Sequence, residues 1–176
     1  MAGLSLAVGV SVVRALEQLG ARGVGVKWPN DIYCCEKKLA GILVEVAGDI
    51  HGPSAAVIGI GVNVRLCDAM HSRIVQPATD LALCMDVPPS RTVLLASLLE
   101  SLATVLARFS REGFTPFREE WLQRHAWKGR PVALSLGERR VAEGEIVGVG
   151  EDGALILESP RGAERFHAGE LTLRQR

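Results

Sequence analysis

Three apolar, strand-like segments between residues 24 and 64 constrain the fold of this chain most strongly. Short apolar runs bounded by turn residues predict strands. Each of these runs also carries polar residues that a buried sheet tolerates only when they find partners. The segment therefore predicts a binding site built on a sheet, and its candidate polar residues are Lys27, Asn30, Asp31, Lys38 and Asn63.

The third segment, residues 55–64, contains two glycines in alternation. Successive strand side chains point to opposite faces, so Gly59 and Gly61 share a face with Asn63. Glycine weakens a strand and often marks a place where a ligand approaches the backbone. We therefore expect a strip of bare backbone that ends in an amide. Two simpler interpretations remain open: the glycines mark a β-bulge, and Asn63 caps the strand end.

The turn between the first two segments supplies further polar groups. Trp28 is expected to be extended, because proline disfavours the helical region for the residue before it. Asn30 and Asp31 then form a turn whose rim carries two short polar side chains. These groups predict a flat slot that suits a neutral or anionic planar ligand.

Lys38 opens the second segment, and strict alternation places it on one face with Ala40 and Ile42. This arrangement puts an ammonium group beside the predicted slot. A solvated lysine at a hairpin end, next to Glu36 and Lys37, is the alternative.

Three sequence blocks resemble the core of the biotin protein ligases. They are K-W-P-N-D at Lys27 to Asp31, K-L-A-G-I-L at Lys38 to Leu43 and I-G-I-G-V-N at Ile58 to Asn63. The spacing between the blocks also matches the family. The resemblance extends from about Leu4 to the C-terminus.

The resemblance implies ATP-dependent attachment of biotin to a lysine of a biotin carrier domain, through biotinyl-5′-adenylate. It implies that Lys38 is catalytic and binds biotin, that Gly41 contributes backbone to the biotin pocket, and that Mg²⁺ accompanies ATP. The residues that it implies for nucleotide binding are Asn30, Asp31, Gly59, Gly61 and Asn63.

The family also carries a Gly- and Arg-rich phosphate loop upstream of K-W-P-N-D, and nothing in residues 1–23 resembles it. Loss of one hydrogen-bond donor that stabilises the charge developing in a transition state can slow catalysis by about a hundred- to a thousandfold. We therefore expect impaired activity from this chain alone. If the strands that accompany this loop in the family are missing as well, the central sheet has an exposed edge. Such an edge predicts association with another chain, for example as a homodimer. A non-catalytic adenylate-binding or carrier-docking module, one half of a split ligase, and a lipoate-attaching relative are the alternatives.

The expected fold class is α+β in two domains. Residues 1–127 resemble a partial class II synthetase-like catalytic domain, with a mixed sheet and packed helices. Residues 128–176 resemble a small SH3-like β-barrel, bordered by G-R-P-V near Gly129 and G-E-L near Gly169. Short alternating strands, a turn at Gly137-Glu138 and the hairpin signal Asp152-Gly153 support that interpretation.

Helical periodicity predicts an amphipathic helix over residues 1–19 that ends at Gly20. A second helix is expected after the N-cap Ser90, and a third begins at Thr115-Pro116, with Trp121 as a packing residue. The core stripe predicted for the second helix is Leu95, Leu98, Leu102, Val105 and Phe109.

Twenty basic and twenty acidic side chains cancel, which argues against a nucleic-acid partner or an anionic membrane surface. No segment after the first helix is expected to span a membrane. Four cysteines without C-x-x-C spacing favour reduced thiols in the cytoplasm. A zinc site that uses His51 and a catalytic role for His71 are the less favoured interpretations.

Overall fold

The computed structural model describes residues 3–48, 54–67, 76–168 and 171–175. These residues form two antiparallel sheets and four α-helices, which confirms the α+β class. His51, His71 and the Gly169-Glu170 pair lie outside the described residues.

The first sheet has the order β1-β2-β3-β4 and is antiparallel throughout. Its strands are β1 (Val24–Lys27), β2 (Asp31–Cys34), β3 (Lys37–Gly48) and β4 (Ser54–Val62). The turn from β2 to β3 places Cys35 and Glu36 at φ of 48° and 65°. Two successive positive φ values are those of the tight hairpin turn that matches strand twist.

Helix α1 spans Leu4–Gln18 and ends as predicted, with Gly20 at a φ of 96°. The amide of Ala21 donates to the Leu16 carbonyl and closes the C-terminal turn. The helix is buried on more of its surface than an amphipathic pattern predicts, since every residue from Leu6 to Val13 is buried. Ser11 is buried, and its hydroxyl donates a hydrogen bond to that of Ser101 on another helix at 3.2 Å.

Two helices follow the first sheet. Asp80 caps the short helix α2 (Leu81–Cys84), and Ser90 caps the long helix α3 (Arg91–Glu112), which confirms the predicted N-cap. The predicted stripe of α3 was wrong at Leu95, which is 57% exposed, because Leu94 takes the buried position. The packing face consists of Leu94, Leu98, Ser101 and Val105.

Helix α3 also corrects the expectation about membrane spans. By length and composition alone it is long and apolar enough to cross a membrane, as core helices also can be. Its buried face packs against α1.

The third predicted helix begins as a 3₁₀ turn at Thr115–Phe117 and continues as α4 (Arg118–Gln123). Trp121 is 1% exposed, which confirms it as a packing residue.

The second sheet has the order β8-β7-β6-β5-β9 and is also antiparallel. Gly137 and Gly153 adopt positive φ values at the predicted turns. No pairing between β8 and β9 closes the sheet within the described part of the chain. The domain boundary at 127/128 remains a prediction. The strands are β5 (Pro131–Leu136), β6 (Arg139–Val149), β7 (Leu155–Ser159), β8 (Gly162–Phe166) and β9 (Leu171–Gln175).

Specific hydrogen bonds join the two halves. The indole Nε1 of Trp28 donates to the Gly153 carbonyl at 3.1 Å, and Nε of Arg118 donates to the Val149 carbonyl at 2.8 Å. Because Trp28 precedes the turn that carries Asn30, the second sheet is anchored directly beside the predicted site.

Candidate functional site

The turn before β2 is fixed by Asn30. Its Nδ2 donates to the Ile42 carbonyl at 2.7 Å, and the Ile42 amide returns a bond to the Asn30 carbonyl at 2.8 Å. The Trp28–Pro29 peptide bond in this turn is cis. Asn30 therefore holds the turn against β3 and aligns the start of β2 with the glycine strip.

Lys38 does not lie on the face that strict alternation predicts. The register between β2 and β3 shifts, so that Ile32 pairs with Ala40 while Tyr33 pairs with Lys38. The extra residue, Leu39, turns Lys38 to the same side as Gly41. An added Cβ at Gly41 would lie 3.5 Å from the Lys38 Nζ. The prediction that Lys38 shares a face with Ala40 and Ile42 was therefore wrong.

The bulge brings Lys38 to Asp31. The Lys38 Nζ lies 2.5 Å from Oδ1 of Asp31, and the two side chains are 28% and 11% exposed. The alternative of a solvated hairpin lysine is therefore wrong, since the ammonium group has a fixed, largely buried partner.

Lys27 is one of the candidate polar residues, but the sequence interpretation gave it no role in ligand binding. Its ammonium lies 3.5 Å from Oδ2 of the same Asp31, and its side chain is 7% exposed. Burial lowers the pKa of Lys27, and the nearby Asp31 carboxylate only partly offsets that effect. The sequence feature that could have indicated a role for Lys27 is its position as the charged residue at the end of the apolar V-G-V-K run.

The charge around Asp31 is positive in sum. Lys27 and Lys38 contact its two oxygens, and Arg174 on β9 is close enough to act on Lys27. One carboxylate cannot neutralise three cations. The site therefore attracts an anionic ligand group.

Lys27, Asp31 and Lys38 line a groove of about 750 Å³. One wall is bare backbone where Gly41 pairs with Gly61, and Leu43, which pairs with Gly59, adds its side chain to that wall. The register between β3 and β4 runs without a shift, so the β-bulge interpretation of the two glycines was wrong. The second sheet contributes Leu171, Thr172 and Leu173 to the opposite side.

Asn63 is placed differently from the other candidates. Its Nδ2 donates to the Thr79 carbonyl at 3.0 Å, and it is not among the residues that line the groove. The Thr79 amide in turn donates to the Lys38 carbonyl at 2.9 Å. Asn63 and Lys38 thus hold the same short segment, while Asn30, Asp31, Lys38, Gly41, Gly59 and Gly61 lie together at the groove.

No group of three His, Cys, Asp or Glu residues could hold a metal ion within the described ranges. The four cysteines are free thiols, and the zinc interpretation with His51 cannot draw on a described cluster.

Comparison with known families agrees with this geometry. A model of the biotin/lipoate A/B protein ligase family matches residues 2–63, and a model of the biotin protein ligase C-terminal domain matches residues 129–174. The chain is therefore similar to biotin protein ligases over both of these segments. The two matches fall on the two sheets described above.

The bifunctional ligase/repressor BirA of Salmonella typhimurium is 36% identical over 172 residues, which are 98% of this chain and 53% of BirA. The biotin–[acetyl-CoA-carboxylase] ligase of Paracoccus denitrificans is 34% identical over 155 residues, which are 86% of this chain and 63% of the relative. The chain therefore spans about half to two thirds of the length of these curated ligases.

Solved biotin protein ligases share the fold. The Aquifex aeolicus enzyme in complex with biotin and ATP is 29% identical, with a TM-score of 0.83 over 100% of this chain and 72% of that one. The apo form of the same ligase gives a TM-score of 0.85 and covers 76% of that chain.

Proposed function

We propose that this chain carries the adenylation and biotin-binding groove of a biotin protein ligase. The observation that supports it best is the pair of ammonium groups, Lys27 and Lys38, on the two oxygens of Asp31 beside a glycine strip. A flat, uncharged ring system fits bare backbone, and an anionic group fits the lysines.

In the first proposed step, a biotin carboxylate oxygen attacks the α-phosphorus of ATP. The bond from that phosphorus to the bridging oxygen breaks, and pyrophosphate leaves with the electron pair. Lys38 stabilises the charge that develops between carboxylate and phosphate, because a fixed ammonium group in a partly dry site needs no reorganisation. Asp31 orients Lys38, and Lys27 holds the other oxygen of Asp31.

The backbone of Gly41, Gly59 and Gly61 is proposed to let the planar parts of the ligand approach closely. Asn30 acts by fixing the turn, since its Nδ2 is already bound to the Ile42 carbonyl. Asn63 is proposed to read the adenine edge through its amide oxygen, with its nitrogen held by Thr79.

In the second proposed step, the amine of a carrier-domain lysine attacks the acyl carbon of biotinyl-5′-adenylate. An amide bond forms, AMP leaves, and the amine loses a proton. The proposed partner is the biotin carrier domain of a carboxylase, and the proposed location is the cytoplasm, where the four free thiols would stay reduced.

Mg²⁺ is proposed only as an ion held by ATP phosphates. Within the described residues no three-ligand cluster exists, and both oxygens of Asp31 are occupied by ammonium groups. These residues do not form a protein-built Mg²⁺ site, so no step here depends on one.

Biotin is proposed over lipoate because of the sequence blocks at Lys27–Asp31 and Lys38–Leu43. The match of residues 129–174 to a biotin protein ligase C-terminal domain supports the same choice. Competition between biotin and lipoate for adenylation tests it directly.

The decisive measurement is biotin-dependent exchange of radiolabelled pyrophosphate into ATP, with Lys38→Met as the matched variant. We expect exchange by the unmodified chain and a loss of about a hundred- to a thousandfold in the variant. Equal exchange by both proteins, or an absence of both exchange and biotin binding, would refute the proposal.

A second candidate is a non-catalytic module that binds biotin or its adenylate, or one half of a split ligase. The groove wall favours it in one respect, because Leu43 in that wall is 60% exposed and water reaches the site. Water weakens the electrostatic help that adenylation needs, and we therefore propose slow turnover by these residues alone. Calorimetric binding without exchange supports the module.

A further inference from the structure

Lys27 has an unusual environment for a buried cation. Its ammonium nitrogen lies 5.1 Å from the centroid of the Tyr33 ring and 5.2 Å from that of the Trp127 ring. Both distances fall within the range in which an aromatic face attracts a cation. The two rings meet edge to face, with centroids 5.5 Å apart, so they form a continuous aromatic wall.

The Trp127 backbone is itself held in place. Its amide donates to Nδ1 of His125 at 3.1 Å, and the His125 ring packs against Trp121 in a tilted arrangement at a centroid distance of 4.9 Å. Tyr33 comes from β2, whereas Trp127 lies at the junction with the second sheet. The wall therefore joins two separate parts of the chain around one ammonium group.

The charged groups around Lys27 do not, taken together, stabilise its charged form. Asp31 attracts it, whereas Lys38, Arg174 and any charge on His125 repel it. Burial adds a further cost for the charged form. The two rings are the remaining stabilising groups that the described structure places around this ammonium.

Aromatic rings differ from carboxylates in one respect that matters at an anion-binding site. A ring attracts the cation through its quadrupole and brings no net negative charge. A second carboxylate at this position would neutralise Lys27 and repel an anionic ligand. The rings keep the positive charge available to the groove, which Lys27 lines.

We propose that Tyr33 and Trp127 are positioning residues that hold the Lys27 ammonium charged and directed at the anionic part of the ligand. The inference rests on the proposed function for the identity of that ligand. The cation–aromatic contact itself is a property of the unliganded protein, so it is testable separately.

The first test is an NMR titration of Lys27 in the unliganded chain, followed at its ε-carbon. We expect Trp127→Leu and Tyr33→Leu to shift the midpoint to lower pH, because the charged form loses its ring contacts. Tyr33→Phe keeps a ring and is expected to leave the midpoint unchanged. Phe114→Leu, a ring deletion in the core that does not contact Lys27, is the matched control. Unchanged midpoints in both folded leucine variants would overturn the proposal, and one shifted midpoint suffices if the other variant does not fold.

The second test is the affinity for biotin, measured by calorimetry from pH 6 to pH 10. We expect a loss of about 2- to 30-fold in Trp127→Leu, the range that corresponds to one cation–aromatic contact. The alkaline limb of binding should also move to lower pH, which a purely structural defect would not cause. Full affinity in Trp127→Leu would overturn the role in binding. Failure of the unmodified chain to bind biotin would instead overturn the proposed function, and the titration would still decide the role of the rings.

Discussion

The ammonium nitrogen of Lys38 lies 2.5 Å from Oδ1 of Asp31, although strict strand alternation would turn Lys38 to the opposite face. The register shift at Leu39 makes this contact possible. A single extra residue in β3 therefore decides which residues of the sheet reach the groove.

Asp31→Asn is expected to destabilise the protein more than Lys38→Met. The first change leaves the buried Lys27 without a carboxylate, and breaking a buried pair costs about 3 kcal/mol or more. The second leaves Asp31 paired with Lys27 and removes a cation that is 28% exposed. Urea unfolding of the two variants measures the difference in stability. Equal losses of unfolding free energy would contradict the pairing of Asp31 with both lysines.

Gly59→Ala and Gly61→Ala are expected to weaken ATP binding without loss of stability. The added methyl groups would lie 3.8 Å from Leu43 and 4.0 Å from the Gly41 carbonyl, which are ordinary contacts. Alanine should leave the free energy of unfolding unchanged or raise it by up to about 1 kcal/mol. If ligand fills that space, affinity should fall by about 5-fold or more.

Gly25→Ala is the contrasting variant for that experiment. A Cβ added at Gly25 would lie 2.7 Å from the Arg124 carbonyl oxygen, so the backbone at one of these two positions must move. We expect a loss of stability of about 1 to 3 kcal/mol. Calorimetry and thermal melts of the three variants separate the two effects. Unaltered ATP affinity in both Gly59→Ala and Gly61→Ala would show that the nucleotide does not approach these glycines.

His125 is expected to make stability fall on mild acidification. Burial, followed by the nearby Lys27 charge, lowers the pKa of His125 from 6.5 to about 4. Between these values the unfolded chain binds a proton that the folded chain does not, so stability drops as pH falls from about 6.5 to about 4. The loss is on the order of 3 kcal/mol.

Denaturant unfolding of the unmodified chain and of His125→Asn, at pH 7 and at pH 4.5, checks this expectation. Asparagine can still accept the bond from the Trp127 amide but does not titrate. Its stability should therefore depend less on pH over this interval. An identical pH dependence in the two proteins would assign the effect to carboxylates instead.

Cys34 and Cys35 are expected to react very differently although they are adjacent. Cys34 is buried, and burial raises the pKa of its thiol, whereas Cys35 is exposed. Because the thiolate is the reactive species, brief iodoacetamide treatment should label Cys35 and spare Cys34. Peptide mass mapping with and without urea measures this, and comparable native labelling of both would contradict the described burial.

Much of the fold could be predicted from the sequence because its signals are local. The N-cap Ser90, the stop at Gly20 and the turns at Gly137 and Asp152-Gly153 each depend on a few neighbouring residues. The wrong expectation for Leu95 arose because periodicity leaves the buried stripe uncertain by one residue. The packing of α3 in the folded chain decides that Leu94 is the buried residue.

In the candidate site, too, local sequence signals account for some features and tertiary contacts for the others. The sequence by itself determined the glycine strip and the polar residues beside it, since alternation within β4 is a short-range property. Only the tertiary structure decided that Lys38 turns toward Asp31 and that Lys27 lies between Asp31 and two rings. Those contacts depend on strand register and on Trp127, 100 positions along the chain from Lys27, and no local pattern encodes such pairings.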